Sequence, residues 1–529
     1  MTSSSVNSLW RGQQTDVLLI QLYSQLQPSN VEPFSVEVLA GALKRDSPEV
    51  SVHITIVDER HPGYQLEQLF PTLDASPPKV IGLSVPQGTL RIAKDILRYC
   101  TTSPALEHAR VLLGHEIPTR YPEAFREIDP TCAIVRGWGD GVIAEAVRSL
   151  MRTDRPGPLT WVGAWSTTPA TPIRVGSANE YVRRVEASRG CAYGVCSFCA
   201  RPWRTQRASR CIVDLACVAD QVADLERFGA TKIAFSDEDF CPTRDELMAM
   251  VDLMSYHDLE YQAAIRPETA LPKPGETWAQ RLELLQRARS SGLTEVFMGI
   301  ESLIPAQEKR YRKNRGGPET RIAALRMLEQ AGIAAEIGLI IFDPLVTVEE
   351  IRQTANIILS EGTYRFIGFP FGTIHLREGS TMCEAPEIVG CRGDFIPDTL
   401  EWLYSFSHPH AGDIHQRCMI WWAPLENACG FARNLLRSWS GHPEIRMSVV
   451  QRIEAIRRTC AIVLRDACDE SCMDGTTANW STKHMDVLVQ LRAVEELVES
   501  SRLFSDDLLN SFRETIKQAQ EEVVQMSVQ

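Results

Sequence analysis

Short apolar runs alternate with longer amphipathic stretches over the first 150 residues of the chain. Asp16-Val17-Leu18-Leu19-Ile20 is too short for a buried helix and reads as a buried strand. Residues 33–43 read as a helix. Residues 52–57 form a second apolar strand, ending at Asp58. Val80-Ile81-Gly82-Leu83-Ser84 is a third strand, with a helix from about Thr89. Residues 111–114 and 132–135 supply a fourth and a fifth. Strands without polar alternation, separated by helices, predict a parallel, doubly wound, Rossmann-like α/β sheet. Ligands on such sheets bind beyond the C-terminal strand ends. Here those ends are Ser84-Val85-Pro86-Gln87, Gly114-His115-Glu116 and Gly137-Trp138-Gly139-Asp140.

Residues 152–176 hold Pro156, Pro158, Pro169 and Pro172 among Thr, Gly and Ser, the composition of a linker. From about residue 181 the alternation resumes. Strands are expected at 184–187, 232–235, 261–265, 295–300, 335–341 and 366–369. Beyond residue 391 the pattern is helical. Val449, Ile453, Ile456, Cys460 and Val463 repeat at helical spacing, and a further amphipathic segment runs near residues 487–497. The expected division is 1–150, a linker 151–178, a second α/β unit 179–390 and a helical region 391–529.

With 529 residues the chain is too long for one core. Hydrophobic residues make up 44%, mean hydropathy is −0.15, and no apolar run reaches membrane-spanning length. The N-terminal residues lack an apolar signal core, and fifteen cysteines without one point to a reducing cytoplasm with metal or thiol chemistry. The net charge of −13, with no basic stripe, argues against a general nucleic-acid binder.

Residues 191–199 read C-A-Y-G-V-C-S-F-C. One short loop thus offers three thiols, Cys191, Cys196 and Cys199, and thiolates are the ligands of iron–sulfur clusters. A cluster held by three cysteines keeps one iron open to an exchangeable ligand. A zinc half-site or three small buried hydrophobes are the other readings of the triplet. The motif resembles that of the radical S-adenosylmethionine (radical SAM) enzymes, C-x3-C-x2-C with an aromatic, here Phe198, before the last Cys. The first spacing is one residue longer here. Further motifs follow in the family's order. Phe235-Ser236-Asp237-Glu238-Asp239-Phe240 resembles the segment that binds the methionine part of SAM. Arg266 matches an arginine at the third strand end, which either pairs with the SAM carboxylate or forms a surface ion pair. Gly299-Ile300-Glu301-Ser302 resembles the family's G-I-E-S and places Glu301 near the SAM ribose or amino group. Ala331-Gly332-Ile333, Ile340-Ile341-Phe342-Asp343-Pro344 and Gly372-Thr373 match the fifth strand and the loop before Gly379. The resemblance implies a partial (β/α)6 barrel and a [4Fe–4S] cluster on Cys191, Cys196 and Cys199. It also implies bound SAM, a 5′-deoxyadenosyl radical that takes hydrogen from unactivated carbon, and an electron donor such as flavodoxin or ferredoxin.

A Rossmann-like domain ahead of such a barrel resembles the cobalamin-binding class of the family. That class carries a G-G pair after its fourth strand and a G-E-G-E-like turn after its fifth. This chain has Gly114-His115 and Gly137-Trp138-Gly139-Asp140. The resemblance implies a cobalamin cradle at Ser84, Val85, Gln87, Gly114, His115, Gly137, Trp138 and Gly139. D-x-H-x-x-G is absent, and Asp58-Glu59-Arg60-His61 has the wrong spacing for it, so no histidine below the cobalt is implied. His115 either caps a helix, touches the corrin or ligates cobalt. Cys460 falls on the apolar helix face, while Cys468 and Cys472 form a looser pair that would suit a second cluster. His408, His410 and His415 with Trp421 and Trp422 line the substrate pocket or form a surface loop. The expected activity is C-methylation of a small specialised metabolite. The rivals are radical rearrangement, ring formation or sulfur insertion on a small, nucleotide-like substrate, and a non-catalytic sensor of cobalamin or SAM.

Overall fold

A computed structural model describes residues 15–27, 32–60, 66–152, 158–178, 181–200, 210–313, 316–437, 439, 441–469 and 477–528. Its first layer is a six-stranded parallel sheet. The strands are β1 (Val17–Tyr23), β2 (Val52–Asp58), β3 (Val80–Ser84), β4 (Arg110–Gly114), β5 (Ala133–Gly137) and β6 (Thr160–Gly163), in the order β2-β1-β3-β4-β5-β6. All seven residues of β1 are buried, because helices cover both of its faces. The order reverses between β1 and β3, which opens a crevice at their C-terminal ends.

β6 is a correction to the linker expected over residues 151–178. It is short, half-exposed and edge-placed, so it lacks the buried apolar run that revealed the other strands. Its last residue must be glycine, since a Cβ on Gly163 would lie 1.6 Å from the Trp138 carbonyl oxygen. That close crossing braces the turn after β5.

The second α/β unit holds β7 (Arg183–Val185), a small antiparallel pair β8 (Ser188–Gly190) and β9 (Arg210–Ile212), then β10 (Lys232–Phe235), β11 (Glu260–Ile265), β12 (Leu293–Glu301) and β13 (Ala334–Leu339). Five strands pair in parallel in the order β13-β12-β11-β10-β7. The strand expected at 366–369 is corrected to an irregular edge. Among the described residues the single bridges Ile337 to Ile367 and Phe342 to Thr373 continue the barrel. Gly368, Pro370 and Gly372 break the ladder there, and Gly372 lets the chain approach the Leu339 carbonyl, 1.8 Å from a would-be Cβ.

The region from 391 opens with a hairpin, β14 (Arg392–Ile396) and β15 (Glu401–Tyr404), where helix was expected. It packs on the first sheet's layer. Asp398 Oδ1 accepts from Leu90 N at 2.8 Å, and Leu400 joins that core. Helices Pro409–Trp422, Glu426–Arg437, Pro443–Ala467, Thr477–Ser501 and Asp506–Val528 follow. Their apolar faces, Val449, Ile453, Ile456, Cys460 and Val463 among them, share one continuous core with the barrel. Arg437 pairs with Glu295 and Glu336 across the N-terminal part of β12 and β13, at 3.1 and 3.0 Å. The first sheet and the barrel are joined by a dry charge cluster. Arg174 and Arg183 each hold Glu32, at 2.9 and 3.0 Å, and all their side chains are at most 2% exposed. No helix among the described residues is long and apolar enough to cross a membrane.

Candidate active site

The cysteine loop leaves β8, just beyond the end of β7. Backbone and hydroxyl hydrogen bonds seat it. Ser197 N donates to the Tyr311 carbonyl at 2.9 Å, and Ser197 Oγ donates to the Arg310 carbonyl at 2.6 Å. Met382 N donates back to the Ser197 carbonyl at 2.9 Å, and the Tyr193 hydroxyl donates to the Arg312 carbonyl at 2.5 Å. Phe198 packs edge-on against Tyr311, with ring centres 5.7 Å apart. Tyr311 is fixed in turn by donating to Asp343 Oδ2 at 2.6 Å. Gly194 turns the loop at a φ of +58°. Cys191, Cys196 and Cys199 stay half-buried, while Cys418 and Cys460 sink fully into the core. Three thiols on one braced loop fit a cluster with one open iron. Among the described residues no three His, Cys, Asp or Glu side chains are already gathered closely enough to hold a metal ion.

The rim beside this loop holds the other SAM candidates. Glu238 Oε2 accepts from Gly190 N at 2.9 Å, tying the second barrel strand end to the entry of the cysteine loop. The Ser236 hydroxyl donates to the Val185 carbonyl at 3.2 Å. Asp237 turns the other way. It is 3% exposed and accepts from Ser188 Oγ at 2.5 Å and Ala187 N at 3.1 Å, so it latches β10 to β8. Burial pushes its carboxyl up to about 7 against those hydrogen bonds. The raised value means that its stabilising contribution is full below the ordinary carboxylate range and is lost as pH rises through about 7. Asp237→Asn should therefore lose less stability than the parent between pH 5 and 8, the difference being on the order of a few kcal/mol. Denaturant titrations of both proteins across that range check this, and parallel curves would refute it.

Arg266 donates to Glu268 Oε2 at 2.8 Å and stacks over the Tyr193 ring at 4.3 Å. Glu301 ends β12 with a left-handed φ of +66°, and the register slips there. Its carboxylate meets Lys313 Nζ at 3.0 Å. Gly299 makes room for that pair, since a Cβ there would lie 2.6 Å from Glu301 Oε1 and 2.9 Å from Lys313 Nζ.

A cavity of about 420 Å³ opens between the C-terminal ends of the first sheet and the start of the barrel. Part of its wall is apolar, with Leu19, Val36, Leu39, Leu112, Val135 and Ile143. Gly82 and Gly139 keep that part open, for a Cβ on either would lie 2.7 Å from Leu19 or 2.9 Å from Leu39. The rest of the wall is more polar and comes from both units, with Ser84, His115, Trp138 and Arg120 from the first and Arg189, Ser236 and Glu238 from the second. Gly114 and Gly137 also line it. Val85 and Gln87 do not. Val85 is fully buried in the helix-side core, because it points to the side opposite Ser84. His115 adopts φ +83° and ψ −163°, a backbone region that favours glycine. That geometry explains why a glycine pair suits this position.

The remaining candidates stand elsewhere. Trp421 and Trp422 are buried between helices and barrel, and Trp421 stacks on His484. His415 Nε2 is 3.1 Å from Thr373 Oγ1. Asp58 clasps Arg60 at 2.6 Å, and His61 lies outside the described residues. Cys460 and Cys468 are buried thiols, the latter pushed up to about 12 by desolvation, and Cys472 lies outside the described residues. Sequence reasoning missed Lys313, Tyr311 and Arg120. Each meets its partner through a chain crossing that no local motif announces.

Residues 185–358 match the radical SAM superfamily. A curated relative, 4′-phospho-dehydrooxetanocin synthase from Priestia megaterium, is 26% identical over 322 residues, which are 54% of this chain and 43% of that protein. The match thus spans less than half of the relative's length. Among solved structures, the cobalamin-dependent S-adenosylmethionine radical enzyme OxsB, with aqua-cobalamin and S-adenosylmethionine bound, superposes with a TM-score of 0.74 at 17% identity, covering 96% of this chain and 84% of that one. The radical S-adenosylmethionine methyltransferase TsrM from Kitasatospora setae, with cobalamin and a [4Fe–4S] cluster bound, gives 0.52 at 15% identity, over 70% and 77%. Residues 185–358 are therefore a radical SAM domain, and the chain as a whole has the fold of the cobalamin-dependent radical SAM enzymes.

Proposed function

We propose that the chain is a cytoplasmic, cobalamin-dependent radical SAM enzyme that removes hydrogen from a small, nucleotide-like substrate. The cavity carries the reading. It lies at the switch point of a Rossmann-like sheet and opens toward the strand that leads into the cysteine loop. About 420 Å³ suits the nucleotide end of a corrinoid rather than the entire molecule, and the apolar slot beside Gly82 and Gly139 suits its flat base. Bound cluster, SAM and cobalamin would supply the electron, the radical and the corrin chemistry. The chain would supply position. Cys191, Cys196 and Cys199 hold the cluster. Glu301, Arg266, Ser236 and Glu238 orient SAM around it. Ser84, Gly114, His115, Trp138 and Gly139 receive the corrinoid.

A rearrangement without net methyl transfer is preferred, because the curated relative is a 4′-phospho-dehydrooxetanocin synthase. Methylation is the second reading, supported by the likeness to TsrM. A non-catalytic sensor would have no use for a three-thiol loop. Reduced, reconstituted protein given SAM and a panel of nucleoside phosphates separates them. 5′-Deoxyadenosine without S-adenosylhomocysteine is expected. Equal amounts of the two would install methylation instead, and neither product would leave the sensor.

Glu301→Gln should weaken SAM binding roughly 10-fold. Hydrogen bonds to a charged group contribute about 1.5–3 kcal/mol, and Lys313 already shares this carboxylate. The variant's SAM affinity and melting temperature decide the matter together. Lower stability with unchanged affinity would make the residue a rim brace only.

A further inference from the structure

Two arginines that line the cavity also grip the cysteine loop, one at each end. At the entry, Arg189 stands two residues before Cys191. Its Nη1 is 2.8 Å from Asp140 Oδ1, its Nη2 is 2.8 Å from Glu186 Oε2, and its guanidinium lies 4.5 Å over the Trp138 ring. Burial works against the charge on Arg189, and Glu186 and Asp140 more than offset it. At the exit, Arg120 donates to the carbonyl of Ala200, the residue after Cys199, and to the Glu378 carbonyl at 3.1 Å. Gly379 leaves space for it, since a Cβ there would lie 2.0 Å from Arg120 Nη1. Trp138 and Asp140 belong to the turn after β5, and Arg120 to the short helix after β4. Both bridges thus run from the cavity walls of the first sheet to the barrel's cysteine loop.

We propose that Arg120 and Arg189 are positioning residues that couple occupancy of the cavity to the geometry of the cysteine loop. This rests on the cavity being the corrinoid site and the loop the cluster and SAM site. A ligand packed against Trp138 and Arg120 removes their freedom. The same side chains set the loop, so their ordering is charged once rather than twice when SAM binds. Linkage makes the effect reciprocal.

The test is the SAM dissociation constant of cluster-loaded protein, with and without hydroxocobalamin. In the parent protein hydroxocobalamin should tighten SAM by about 5-fold or more, and should shift the electron paramagnetic resonance spectrum of the reduced cluster. In Arg120→Gln the ratio should fall toward unity and the spectral shift should vanish. Asp140→Asn, which keeps its shape and leaves Arg189 paired with Glu186, should at least halve the ratio, and it decides the matter if the first variant does not fold. The same ratio in the parent and both variants would overturn the coupling. So would a parent that binds hydroxocobalamin tightly with no effect on SAM. A parent that binds no hydroxocobalamin would overturn the corrinoid reading itself, and the coupling with it, and direct titration of that probe tells the two failures apart.

Discussion

Replacing Cys191, Cys196 and Cys199 together by Ala should abolish SAM cleavage and leave the protein folded. The loop is seated by bonds that the substitutions do not touch. Ser197, Tyr193 and Met382 make its bonds to the barrel, through backbone and hydroxyl groups that the substitutions leave alone. The three side chains are half-buried, so trimming them costs less than a core truncation, which runs to about 2–5 kcal/mol for a large aliphatic residue. The substitutions remove all three thiols of this loop. 5′-Deoxyadenosine should fall below detection in a reduced, anaerobic assay, with a melting temperature within a few degrees of the parent. Residual 5′-deoxyadenosine at the parent rate would mean that the loop holds no working cluster.

Gly114→Phe should empty the cavity of corrinoid without harming the cysteine loop. Gly114 lines the cavity, and a Cβ on it would meet only the Val135 carbonyl, at an ordinary 3.9 Å. Its φ is not in the left-handed region, so the backbone accepts a side chain. A phenyl ring then occupies space the ligand needs. Overpacking costs roughly 1–3 kcal/mol, so hydroxocobalamin affinity should fall by about 100-fold, toward the upper end of that range. Iron content should stay at the parent level. Titration with hydroxocobalamin, followed optically, measures this, and unchanged affinity would place the corrinoid elsewhere.

Much of the architecture is legible in the pattern of apolar residues. β1 and β3 are buried on both faces, so their sequences are mostly apolar without polar alternation. β6 and the β14–β15 hairpin escaped because they are short, half-exposed and held by tertiary contacts such as Asp398 with Leu90. The sixth barrel position lies where the apolar pattern predicts a strand, but it is irregular, since Gly368 and Gly372 allow close approach at the expense of the ladder. In the candidate site the local motifs were readable. The cysteines share one loop, and Ser84, Gly114 and Gly137 each end a strand. The direction of individual side chains was not. Asp237 and Asp239 share a motif and both turn inward, yet one accepts from Ser188 and the other from Thr269. Arg120 reaches Ala200 across eighty positions, and Lys313 reaches Glu301 around a helical turn.

Metal content bears most directly on the whole reading. The protein should be reconstituted anaerobically with iron, sulfide and hydroxocobalamin, then freed of loose cofactor. Iron and cobalt should then be retained in a ratio of about four to one, with acid-labile sulfide matching the iron. Iron and sulfide without cobalt would contradict the assignment of the cavity, and cobalt without sulfide would contradict the assignment of Cys191, Cys196 and Cys199.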